Sequence, residues 1–113
     1  MKVFVYRNLH KKCWSVKALS GPHKGLVIAH LKELTLVDCI FRVSEAGRQR
    51  VIKTKRKNVH AGVVGYLTTT EASPSMKKVR YNPYEAGCFK FVETKEPIHK
   101  SSIVRLDDLG AWA

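Results

Sequence analysis

Acidic residues are scarce in this chain: nine Asp and Glu stand against 21 Lys and Arg in 113 residues, a formal charge of +12 at pH 7. So few carboxylates leave little from which to build a two-metal hydrolytic centre. Of the nine, Asp38, Glu45 and the adjacent Asp107 and Asp108 are the candidates for such a centre, and neighbours on a strand point to opposite faces. Cysteine is sparse too. Cys13, Cys39 and Cys88 are odd in number and widely spaced, unlike the paired framework of a small secreted protein, so a reducing cytoplasm is expected. No stretch approaches the roughly 18 apolar residues of a membrane span, and the opening MKVFVYRNLHKKC holds an apolar run too short for a signal core. Neither export nor membrane insertion is expected. Also missing are a Gly-rich phosphate loop, a Gly-x-Ser-x-Gly elbow and a Cys-centred nucleophile motif. His10 and Cys13 have a ligand-like spacing, but no matching second pair follows. The reading therefore leaves enzymatic activity undecided, with a non-enzymatic role favoured, and calls for no cofactor and no metal.

What is present is β-patterned. The length suits one domain over residues 1–113 with a modest core. Residues 3–6 are β-branched and aromatic, and residues 13–19 alternate, with Trp14, Val16 and Ala18 on one face. The turn cluster SGPHKG precedes a third strand over 26–30. From Leu36, the positions Val37, Cys39, Phe41 and Val43 are apolar, a half-buried strand. Residues 59–67, 77–81, 89–92 and 103–106 supply further strands. No repeat, low-complexity tract or heptad series appears. The fold class is mainly β, or α+β with few short helices, as a small barrel-like or rolled antiparallel sheet. Short helices have room near residues 30–35 and in the final ten.

The densest charge lies at residues 48–57, RQRVIKTKRK, where Arg48, Arg50, Lys53, Lys55, Arg56 and Lys57 follow the turn-like Glu45-Ala46-Gly47. A three-residue loop there makes this run the return strand of a protruding basic β-hairpin. That register sets Phe41 against Val51, Ile40 against Ile52, and Arg42 against Arg50, a like-charge conflict of the kind expected at a binding site. A helix is the other reading, with Ser44 as its cap, but Gly47 is poor inside one. Arg42, Arg48 and Arg50 then share one face of the arm, and Lys53, Lys55 and Lys57 the other, with Arg56 near its base. Among the aromatics, Phe4, Trp14, Phe41, Phe89 and Phe91 are expected in the core, leaving Tyr6, Tyr81 and Tyr84 as platforms for stacked bases.

The segments VFVYRNLHKKCWSVKAL, GRQRVIKTKRKNVHAGVVGYL and VRYNPYEAGCFKF resemble the small, uncharacterised basic proteins of tailed bacteriophages. That resemblance implies the host cytoplasm as the setting, and nucleic-acid handling or the disabling of a host protein as tasks. The first expectation is a protein that binds DNA or RNA phosphates through the arm at residues 42–57, since net positive charge draws a protein to polyanions. Two alternatives stand beside it. One is an inhibitor or modulator docking on an acidic surface of a host protein. The other is a small metal-independent ribonuclease, with His60 the catalytic candidate and His10, His23, His30 and His99 as possible partners.

Overall fold

The computed structural model describes residues 2–8, 11–43, 49, 53–54, 61–69, 75–80 and 89–113. Among the described residues nine strands form one antiparallel sheet: β1 (Lys2–Asn8), β2 (Cys13–Ala18), β3 (Val27–Leu31), β4 (Leu34–Val43), β5 (Ala61–Thr68), β6 (Lys78–Arg80), β7 (Lys90–Phe91), β8 (Lys100–Asp107) and β9 (Gly110–Trp112). Their spatial order is β3-β2-β1-β5-β4-β8-β9-β6-β7, an open sheet rather than a closed barrel.

Alternation decides which side chains turn inward. Val3 and Val5 on β1 stand opposite Ala18 and Val16 on β2, and all four are fully buried. Leu36 faces Val104, and Leu34 faces Leu106, across β4 and β8. All of these but Ala18 join Trp14, Cys39, Phe41, Val63, Val79 and Phe89 in one hydrophobic cluster. A flat sheet cannot bring β2 and β8 into a common core, because β1, β5 and β4 lie between them. The sheet is therefore rolled. Trp14 marks the closure: its indole Nε1 donates to the Asp107 carbonyl oxygen at 2.9 Å. Phe41 and Phe89 seal another part of the concave side, with ring centroids 4.9 Å apart.

The mainly β, rolled antiparallel reading is borne out, but the hairpin register is not. Phe41 pairs with Val63, Ile40 with Val64 and Arg42 with Gly62 on β5, while the other edge of β4 is taken by β8, with Ile40 opposite Lys100. Ile40 is thus paired on both edges, with Val64 and Lys100, and has none left for Ile52. Within the run at residues 48–57, Gln49, Lys53 and Thr54 have helical geometry, and Arg48, Arg50, Val51, Ile52, Lys55, Arg56 and Lys57 lie outside the described residues. Competition between strands explains the outcome. β5 matches β4 with apolar partners and glycine, whereas the cationic run would oppose Arg42 with a second arginine.

The helices expected near residues 30–35 and in the final ten are replaced by the β3–β4 turn and by β8 and β9. In the second case the cause is local. Asp107 Oδ1 accepts from the Leu109 amide at 2.9 Å, and Gly110 takes φ 129°, so the chain reverses into a hairpin in place of a helical turn.

A bulge interrupts β4 between Val37 and Ile40, where Asp38 occupies the left-handed region at φ 51°. The bulge lets Cys39 point into the core, where it is almost fully buried. Burial first, and the neighbouring Asp38 carboxylate second, push the Cys39 thiol up to about 12 from 9.0, against a smaller lowering from a backbone hydrogen bond at Val104. The folded state thus holds a proton that the unfolded chain releases near pH 9. Stability from this group is intact below that point and falls as pH rises toward 12, by about 1.4 kcal/mol per unit. Urea denaturation of the wild type and Cys39→Ala at pH 8, 9, 10 and 11 reads this directly. The wild-type advantage is expected to shrink through the series, and a constant gap would contradict it.

Candidate nucleic-acid interface

The side chains that do not turn inward make an outer face across β3, β2, β1, β5, β4 and β8. One row runs His30, Ser15, Tyr6, Gly62, Arg42 by direct cross-strand pairing. The adjacent row runs Lys17, Phe4, Val64, Ile40, Lys100. A third places Lys2, Tyr66, Val37 and Ile103 side by side. Tyr66 is 41% exposed and Ile40 44%, while Phe4 and Tyr6 are half-buried.

Three rings and four cations are thereby gathered on one surface. Phe4 and Tyr6 stack at 6.0 Å between centroids with 27° between planes. The Phe4 ring leans over Gly62, where a Cβ would meet it at 2.8 Å. Lys2, Arg42 and Lys100 are exposed, and Lys17 is half-buried. None of the four is paired with a carboxylate among the described residues. Arg105, farther along β8, is held by Glu33 at 3.0 Å. On β9, Trp112 stands opposite Arg105, and the Lys78 ammonium lies 5.8 Å from its ring centroid.

A polar chain edges this face at β2 and β3. Asn8 Nδ2 donates to Ser15 Oγ at 3.2 Å. Ser15 Oγ lies 3.1 Å from His30 Nδ1, and Lys11 Nζ lies 3.4 Å from His30 Nε2. Cys13 Sγ, 3.8 Å from His30 Nδ1, thus has His30 beside it, while His10 lies outside the described residues. Among the described residues, no group of three or more His, Cys, Asp or Glu is placed to hold a metal ion.

Of the residues marked in the sequence, Arg42 reaches this face and Lys53 is exposed on the helical residues of the basic run. Arg48, Arg50, Lys55, Arg56, Lys57, His60, Tyr81 and Tyr84 lie outside the described residues. Tyr6 lies half-buried on the outer face. Phe4, expected in the core, does not. Val3 and Val5 take the inward positions of β1, and alternation forces Phe4 outward beside Tyr6. Trp14, Phe41 and Phe89 are buried, and Phe91 packs partly buried against the core. Tyr66, Lys2, Lys17 and Lys100 were not singled out by the sequence. The usable signal was the alternation of Gly62, Val64 and Tyr66 against the inward Val63.

The fold and this surface define a small protein built on an open, rolled antiparallel sheet with a cationic, ring-bearing outer face. The chain belongs to the family described as Mycobacterium phage L5 gene 82 protein, which it matches over residues 1–113. The gene 82 protein of Mycobacterium phage L5 is 39% identical to it over 120 residues, covering 100% of this chain and 95% of that relative. The resemblance to small phage proteins is borne out by these matches. No solved structure matches the chain. Among the described residues, no helix is long and apolar enough to cross a membrane.

Proposed function

We propose that this protein binds nucleic acid in the host cytoplasm, with the outer face of the sheet as the contact surface. The observation that carries this reading is the set of four cations, Lys2, Lys17, Arg42 and Lys100, grouped around aromatic rings and paired with no carboxylate among the described residues. Cations held by carboxylates are already neutralised, whereas unpaired ones are available to phosphates. Each phosphate contact releases condensed counterions, and that release drives association. The basic run at residues 48–57 adds charge to the same partner in this reading, and the formal +12 of the chain draws polyanions from a distance.

Anisotropy titrations with labelled random-sequence DNA and RNA over a range of salt concentrations test this. Each phosphate contact contributes about −0.7 to −0.9 to the slope of log affinity against log salt. Replacing Lys2, Lys17, Arg42 and Lys100 with Gln is therefore expected to flatten the slope by about 3. An unchanged slope would remove the outer face from the interaction. If the protein binds no nucleic acid but retains a host protein after nuclease treatment, the cations serve an acidic protein surface instead.

A further inference from the structure

Resting on the nucleic-acid reading above, we infer that the outer face takes single-stranded nucleic acid in preference to duplex. Phosphate contacts alone do not favour the single strand, because a duplex presents the same phosphates at a higher linear charge density. The rings do. In a duplex each base is stacked on its neighbours at 3.4 Å along the strand, and its faces are closed to the protein. In a single strand the faces are open to stack on an aromatic side chain, and this is tolerant of sequence because every base has a π-face.

The placement of the rings suits such a strand. Phe4 pairs with Val64, and Lys2 with Tyr66, so Tyr66 lies diagonally across the β1–β5 seam from Phe4, roughly 7–8 Å away along the backbone. Tyr6 continues the line on β1, its ring 6.0 Å from that of Phe4. Tyr66, Phe4 and Tyr6 therefore form a row that runs along the β1–β5 seam. Cations border that row on both sides. Lys2 stands beside Tyr66, Lys17 stands opposite Phe4, and Arg42 lies beyond Gly62 from Tyr6. Gly62 contributes by having no side chain. The Phe4 ring occupies the space above it, so an aromatic surface fills the gap between Tyr6 and Arg42. A backbone running along the cations can then lay its bases on the rings. At the far end the exposed His30 continues the Tyr6 row beyond the buried Ser15 and offers a hydrogen-bonding group to a base edge.

The test uses the full chain with three labelled probes of equal length: oligo-dT, oligo-rU and a mixed-sequence DNA duplex. The variants are Tyr66→Ala, Tyr66→Leu and Tyr66→Phe, each checked by circular dichroism melting. Wild type is expected to bind a single strand at least tenfold tighter than the duplex at the same salt. Tyr66→Ala and Tyr66→Leu are each expected to lose about tenfold on the single strands, in line with one lost stack, while duplex affinity and the salt slope stay unchanged. Tyr66→Phe should keep wild-type affinity, since the ring and not the hydroxyl carries the contact. The two single-stranded arms report whether DNA or RNA is favoured. Duplex binding as tight as single-strand binding, or a Tyr66→Ala variant that binds single strands like wild type, overturns this inference and leaves the nucleic-acid reading standing. Absence of binding to all three probes overturns both.

Discussion

Gly62→Val is expected to destabilise the protein by about 3 kcal/mol or more, the upper end for overpacking a close-packed site. Gly62 sits on β5 with β1 on one side and β4 on the other, opposite Tyr6 and Arg42. A Cβ at this position would overlap the Val5 carbonyl oxygen and lie 2.8 Å from two atoms of the Phe4 ring. The ring can swing away, but the carbonyl is backbone in the strand next door. It moves only if β1 separates from β5, and that seam joins the β1–β3 part of the sheet to the rest. The two obstacles are separable by measurement. In a Phe4→Leu background the ring is gone and the carbonyl remains, so Gly62→Ala should still cost more than 1 kcal/mol there, as with other overpacked sites. Urea denaturation of the single and double variants reads both values. A Gly62→Ala penalty that vanishes with Phe4→Leu would show that the ring alone demands glycine.

Trp14→Ala carries the second large effect, about 3–5 kcal/mol, as for other buried aromatic truncations. Three losses coincide at this residue. Its ring, 8% exposed, belongs to the core, and removing it leaves a cavity where β2 meets the rolled-over sheet. Its Nε1 is the donor to the Asp107 carbonyl, and losing it removes that link between β2 and the end of β8. Its face lies 5.4 Å from the Arg7 guanidinium carbon, and Arg7 Nη1 is buried with no hydrogen-bond partner. The ring's negative face is thus the favourable electrostatic surface for a partly desolvated cation. Trp14→Phe retains an aromatic face and most of the packing, and should cost about 1–2 kcal/mol, mainly from the unsatisfied carbonyl. Calorimetric melting of both variants distinguishes the contributions. Equal penalties for Phe and Ala would assign the stabilisation to the indole hydrogen bond rather than to the ring.

These two residues illustrate unequal legibility. Trp14 is evident in the sequence as a core residue, since it alternates with Val16 and Ala18 and strand alternation puts all three on one face. Its partner Asp107 is not evident, being 93 residues away and brought close only by the curl of the sheet. For Gly62, sequence shows that glycine permits close backbone approach. It does not show that the approaching group is the Val5 carbonyl. Phe4 was misplaced because residues 3–6 are apolar throughout, so the pattern offers no inward or outward choice, and the core selected Val3 and Val5. The register of residues 48–57 against β4 matched two apolar pairs, yet β5 takes Phe41 and β5 and β8 together flank Ile40.

What the sequence determined by itself was the sign of the charge, the β character of most segments and the phage kinship, because composition, two-residue periodicity and similarity are properties of the chain read in order. What only the tertiary structure decided was which strands are neighbours and which face turns outward. Strand pairing is a competition among distant segments, and one strand has just two edges to give. Its result moved the candidate interface from a protruding arm to the outer sheet face, where Arg42 stands with Lys2, Lys17, Lys100 and three aromatic rings.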